Sequence, residues 1–239
     1  MWYNPTLARI SPIKARSLPK RRIKDDPREN SLQMYLRFNE GNGRTVFDYS
    51  KYRRDGVIYN ANWGKNGVDR GLWFDGINSY VETPIFSVPN NLTFTAWAYY
   101  IDGQPTGNFG GIVCNLNGKD DYNRILVNPT TIRFEIRIVS TIYYHDATTN
   151  INLQNAWHHY VVTYNGSYVK IYLDGNRIYT KEQTGDLNWW TRKPTIGWGS
   201  ISAGLYHFKG AIDEVRAYNR VLADQEIRMI YENEKNNYY

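Results

Sequence analysis

The sequence predicts an all-β sandwich of two antiparallel sheets, with one short C-terminal helix and an extended N-terminal arm. Three observations predict it. Several segments alternate apolar and polar residues with the period of two that marks a half-buried strand. Gly, Asn, Asp and Pro separate those segments at short intervals, as the turns of a sandwich require. Aromatic residues make up 15 % of the 239 residues, with 21 Tyr and 8 Trp, and such side chains favour strands.

Residues 1–30 read as the arm. Pro5, Pro12, Pro19 and Pro27 oppose helix and suit extended chain. Between them lie Arg9, Lys14, Arg16, Lys20, Arg21 and Arg22, followed by Lys24 and Arg28. Against Asp25, Asp26 and Glu29 these give the arm +5 of the chain's net +6. Ile10, Ile13, Leu18 and Ile23 are isolated apolar anchors, too few to offset the entropy of ordering the segment alone. The arm is therefore expected to dock on neighbouring subunits of a larger assembly. The rest of the chain holds 21 basic and 20 acidic residues, which excludes a basic nucleic-acid-binding domain of the usual kind. Nucleic acid, if met at all, would be met by the arm.

Residues 31–239 read as one domain. Leu32, Met34, Leu36 and Phe38 form one face of a first strand, which Glu40-Gly41-Asn42-Gly43 ends. Leu92, Phe94, Ala96 and Ala98 alternate with Thr93, Thr95, Trp97 and Tyr99. Ile132, Phe134, Ile136 and Ile138 alternate with Arg133, Glu135, Arg137 and Val139. Val169, Ile171 and Leu173 lead into Asp174-Gly175, a dipeptide that favours the positive φ of a hairpin turn. Residues 222–232 read as the helix, with Asp224 and Glu226 in the first turn and Ile227, Ile230 and Tyr231 on one face. The tail Asn236-Asn237-Tyr238-Tyr239 has no period and predicts no element.

A single cysteine, Cys114, excludes an intrachain disulfide and reads as a buried thiol. Asn4 and Pro5 interrupt Trp2 and Tyr3, so no apolar region of signal-peptide length is present, and no stretch approaches a membrane span. The expected location is a virion or particle surface, otherwise the cytoplasm.

Three segments occur in order: Leu72-Trp73-Phe74-Asp75-Gly76 followed by Ser79-Tyr80-Val81, then Ala156-Trp157-His158-His159-Tyr160-Val161-Val162, and last Gly210-Ala211-Ile212-Asp213-Glu214-Val215-Arg216-Ala217-Tyr218. On them the chain, from about Met34 to Tyr231, resembles the laminin-G-like branch of the concanavalin A-like lectins. Ala223 departs from the pattern, because relatives carry a capping Ser or Asp there. The resemblance implies a concanavalin A-like jelly-roll and a binding module more often than an enzyme. It also implies a structural calcium, with Asp213 on the closing strand as ligand beside carbonyls of residues 39–41.

The residues offer little catalytic chemistry. Glycoside hydrolysis needs two carboxyl groups about 5–9 Å apart, and the Glu-x-Asp-x-x-Glu run of the superfamily's glucanases does not occur. Glu135, between Arg133 and Arg137, reads as an ion pair on a solvated strand face. His158 and His159 point to opposite faces of one strand and cannot easily share a metal; packed, hydrogen-bonded rings are expected. Asp75 reads as a turn former. The candidate ligand surface is aromatic: Trp189 and Trp190 in a polar segment, Trp198 between two glycines, and Tyr143-Tyr144 as a second loop pair. The function expected is a non-catalytic carbohydrate- or surface-binding module, displayed on an assembly such as a virion and anchored by its arm. A hydrolase with an unrecognised site is the alternative.

Overall fold

The structure is a computed structural model that describes residues 30–65, 68–86, 90–101, 109–117, 121–187, 193–199 and 206–239. The arm, together with Trp189 and Trp190, lies outside the described residues.

Among the described residues, sixteen strands build two antiparallel sheets of eight. The first contains β1 (Leu32–Leu36), β4 (Asn62–Lys65), β5 (Val68–Asp75), β7 (Leu92–Tyr100), β12 (Trp157–Tyr164), β13 (Tyr168–Leu173), β14 (Asn176–Glu182) and β16 (Lys209–Tyr218). Its order is β14-β13-β12-β7-β16-β5-β4, with β1 also pairing β16. The second contains β2 (Thr45–Val46), β3 (Gly56–Tyr59), β6 (Tyr80–Glu82), β8 (Gly110–Asn117), β9 (Asp121–Val127), β10 (Thr131–Ile138), β11 (Thr141–Thr148) and β15 (Thr195–Ile196), in the order β11-β10-β9-β8-β15-β6-β3-β2. A helix, α1 (Asp224–Glu234), and a 3₁₀ turn (Lys235–Asn237) follow β16. No helix among the described residues is long and apolar enough to cross a membrane.

The predicted alternation defines the core between the sheets. Phe94, Ala96 and Ala98 of β7 and Tyr160, Val162 and Tyr164 of β12 face Phe134 and Ile136 of β10 and Ile125 and Val127 of β9. The β13–β14 hairpin turns at Asp174 (φ 50°) and Gly175 (φ 74°), the pair of positive dihedrals that matches strand twist. In β16, Gly210 is required: at φ 138° a Cβ would lie 1.9 Å from the Tyr99 carbonyl oxygen. A bulge between Asp213 and Arg216, with Glu214 at φ 50°, keeps Ile212 and Val215 in the core.

The outer face of the first sheet departs from the expectation. Trp97 is not half-solvated; it is fully buried, because the C-terminal segment lies over it. Ile227 of α1 packs with Val161, Tyr172 and Tyr218, and beyond it Tyr231 and Tyr238 cover Trp73, Trp97 and Trp157. The helix begins two residues later than the periodicity indicates. Ala223 supplies no side-chain acceptor, and Glu226 compensates by accepting the Ala223 N–H at 2.9 Å while paired to Arg220.

Candidate functional site

The free face of the second sheet carries a row of outward polar and aromatic side chains. Strand pairing places one residue from each of seven strands in a transverse row: Tyr144, Glu135, Arg124, Cys114, Thr195, Glu82 and Val57. At the interstrand spacing the row is about 29 Å long. Its ends are open, with Tyr144 58 % and Val57 43 % exposed, whereas Glu135 and Cys114 in the middle are buried.

Near the Val57 end, rings line up. Tyr59 and Tyr80 face each other across β3 and β6 and stack with centroids 4.6 Å apart. Tyr80 lies 5.0 Å from Trp198, and Trp198 stacks on His207 at 5.2 Å. Trp198 is held by its own chain: its carbonyl accepts from Thr195 Oγ1 at 2.8 Å, and it bridges His207. Its indole Nε1 is buried with no hydrogen-bond partner among the described residues. Lys193 pairs with Glu82 at 2.6 Å beside these rings. Tyr59, Tyr80 and His207 carry no sequence signal for this site, because only strand register brings them to Trp198.

At the other end, Arg124 Nε donates to Glu135 Oε2 at 2.6 Å, and Arg133 holds both oxygens of Asp146 at 2.6 and 2.7 Å. Arg133 also lies over the rings of Phe109 and Tyr144. Glu135 is thus not on a solvated face. It is 1 % exposed, and its close partner comes from β9, not from its own strand. Burial pushes its carboxyl above the usual range, while Arg124 and then Arg133 pull against that. Tyr143 and Tyr144 are not a loop pair. They are adjacent in β11, so Tyr143 packs against the core and Tyr144 points outward.

The histidines sit on opposite faces as expected. His158 Nδ1 meets Asp174 Oδ2 at 2.8 Å. His159 contradicts the expectation of a hydrogen-bonded ring: it is fully buried between Trp97 and Tyr231, neither nitrogen has a hydrogen-bond partner among the described residues, and burial pushes its pKa down to about 3. His145 meets Tyr179 Oη at 3.3 Å. Asp75 is a turn former, accepting the N–H groups of Ile77, Asn78 and Ser79. Cys114 is buried, its thiol pushed up to about 12 by desolvation.

Asp213 lies under the C-terminal segment and is 4 % exposed. Tyr238 Oη donates to Oδ2 at 2.9 Å and the Glu214 N–H donates to Oδ1 at 2.8 Å. Burial, then the Glu214 charge, push its pKa up to about 8. With donors of the chain on both oxygens and almost no exposure, Asp213 does not fit calcium, which requires oxygen ligands open to the ion. Among the described residues no group of three or more His, Cys, Asp or Glu could hold a metal ion.

Residues 75–228 match the profile of the concanavalin A-like lectin/glucanases superfamily, and the chain belongs to that superfamily. A comparison with curated proteins finds no match. The fold is similar to the botulinum neurotoxin serotype D binding domain, with 12 % identity and a TM-score of 0.67 over 87 % of this chain and 53 % of that one. It is also similar to the binding domain of Paraclostridial Mosquitocidal Protein 1, with 13 % identity and a TM-score of 0.69 over 87 % and 53 %. A third similar structure is the serotype D ligand binding domain in complex with N-acetylneuraminic acid, with 12 % identity and a TM-score of 0.69 over 86 % and 52 %. The chain therefore spans about half the length of the structures it matches.

Proposed function

We propose that this chain is a non-catalytic carbohydrate-binding jelly-roll module whose ligand surface is the free face of the second sheet around Tyr59, Tyr80 and Trp198. The ring row carries the reading. Half-buried Tyr59, Tyr80 and Trp198 form one continuous aromatic patch, the kind of apolar area on which a sugar ring packs. Trp189 and Trp190, outside the described residues, are assigned to the same ligand surface on their sequence alone. The N-acetylneuraminic acid complex of a structure with the same fold agrees with a sugar ligand.

Catalysis is disfavoured by carboxylate placement. Glu135 and Glu82 lie four strand spacings apart in the row, about 19 Å, twice what hydrolysis tolerates. Asp146 is nearer Glu135, but both of its oxygens are held by Arg133 and Glu135 is closed to solvent. The arm, through Arg9, Lys14, Arg16, Lys20, Arg21 and Arg22, anchors the module to neighbouring subunits of an assembly such as a virion surface. Deleting residues 1–30 then abolishes incorporation and leaves the domain folded; unchanged incorporation refutes the anchoring.

The test of binding is a glycan array probed with the intact chain and with Trp198→Ala and Tyr80→Ala. A hit whose affinity falls at least tenfold in both variants supports the reading. No hit, or a hit indifferent to both substitutions, overturns it.

A further inference from the structure

The near-neutral body conceals an uneven charge distribution. Residues 1–55 hold 13 Lys/Arg and 6 Asp/Glu, whereas residues 56–239 hold 16 and 17. The excess does not stop at the arm; it continues through the β2–β3 connection on the folded domain.

Segment 40–55, which contains that connection, ties its acids to backbone N–H groups and leaves three cations exposed. Asp48 is fully buried and accepts four hydrogen bonds: from the N–H groups of Tyr35, Ser50 and Arg54 at 2.8 Å, and from Ser50 Oγ at 2.7 Å. Asp55 accepts the Asp48 N–H, and Glu40 accepts the Phe47 N–H. Asp48 therefore serves as the internal anchor that sets the loop's shape, while Asp55 is exposed. Arg44, Lys51 and Arg53 are exposed, and none has a carboxylate partner among the described residues. Phe47 and Tyr52, 39 % and 38 % exposed, lie among them. Lys51 Nζ donates to Asn30 Oδ1 at 3.2 Å, which fixes this surface beside the point where the arm joins the body.

We propose that the β2–β3 loop is a second binding surface, for an acidic polysaccharide bearing carboxylate or sulfate groups. Lys51 and Arg53 on a loop pre-shaped by Asp48, with Arg44 just before β2, are three exposed cations without a carboxylate partner among the described residues, and they match repeated anionic groups with little ordering cost. Lys51 touches Asn30, the residue that follows the basic segment 1–29 in sequence, so an extended polyanion is favoured over a single anion. The rings decide between polyanions. Single-stranded nucleic acid needs successive open ring faces for its bases. Here Arg54 lies 4.1 Å and Lys51 5.1 Å from the Tyr52 ring centroid, leaving Phe47 as the one ring of the loop without a cation on it among the described residues. One open ring beside several cations suits an acidic sugar chain. This surface shares a ligand class with the ring row but not a location: the loop runs into Gly56 at the start of β3, and Tyr59 ends that strand.

The test measures binding of the full chain to polygalacturonate, dextran sulfate, uncharged dextran and a single-stranded oligonucleotide at 50 mM salt. Two triple variants of equal charge are compared, R44A/K51A/R53A in the loop and K170A/K181A/K235A elsewhere. The expected result is at least a tenfold loss of acidic-polysaccharide affinity in the loop variant and under twofold in the other. Equal losses in both, tighter binding of the oligonucleotide than of either acidic polysaccharide, or no binding of either polysaccharide overturns the proposal. The loop variant should keep whatever glycan-array hit depends on Trp198, so failure of one surface is distinguishable from failure of the other.

Discussion

Tyr238 stacks on Trp97 with ring centroids 4.1 Å apart and planes 18° from parallel. The two residues are 141 positions apart, and this contact turns a strand face that alternates like a solvated one into a second apolar layer. Trp97 Nε1 also donates to Glu234 Oε2 at 2.9 Å, and Tyr239 Oη donates to the Trp157 carbonyl at 2.9 Å. The C-terminal segment is therefore a structural part of the domain.

Replacing Tyr238 by Ala removes a stacked ring from a buried face. The expected cost is about 2–3 kcal/mol, measured as a lower urea midpoint with little change in slope. Tyr238→Phe keeps the stack and loses the donor to Asp213, so it should cost about 1 kcal/mol. Equal stability of wild type and Tyr238→Ala would show that the segment contributes nothing.

Two buried groups beneath that segment give stability a predictable pH profile. The pKa of Asp213 is raised to about 8, so its contribution is full below the unfolded value near 4 and is lost as pH rises to 8. That of His159 is lowered to about 3, so its contribution is full above about 6.5 and is lost as pH falls toward 3. The two slopes cancel between about pH 4 and 6.5, and Asp213 alone acts above that. Between pH 6.5 and 8 the wild type should lose about 2 kcal/mol relative to Asp213→Asn. Parallel denaturation curves for the two proteins across that range would refute the assignment.

Arg124 and Glu135 are both buried, so removing one charge strands the other. Glu135→Gln should cost about 3 kcal/mol, and Arg124→Met with Glu135→Leu together should recover most of it. A double-mutant cycle by chemical denaturation checks this. Glu135→Gln should create no difference in turnover on a polysaccharide panel, since neither protein is expected to hydrolyse any member of it.

The donors on both Asp213 oxygens predict indifference to calcium. Adding millimolar calcium, or a chelator, should move the melting temperature by less than about 1 °C. A ligand that binds only the folded state at a hundred times its Kd would add about 2.7 kcal/mol, so a shift of several degrees would reinstate a calcium site.

Much of the architecture was legible because strand alternation and turn chemistry are local. Phe94, Ala96 and Ala98 face the core as their spacing indicates, and Asp174-Gly175 makes the turn its composition favours. What escaped depends on residues distant in sequence. The alternation around Trp97 gives no sign that a tail without periodicity will cover it. Glu135 stands between two arginines in sequence yet is held closely by a third, Arg124, across a strand pair. Trp198 was visible as a candidate, but Tyr59 and Tyr80 join it only once β3 and β6 are in register.

β16 is central to the first sheet, pairing with β7, β5 and β1, although it is the last strand made. During synthesis every earlier strand of that sheet must wait for residues 209–218 to emerge before its middle can close. A nascent chain lacking them carries the open edges of β7 and β5 and bare aromatic surface, the conditions that favour aggregation. The domain should therefore depend on chaperones late in its synthesis, and C-terminal truncations before Tyr218 should be recovered as insoluble protein.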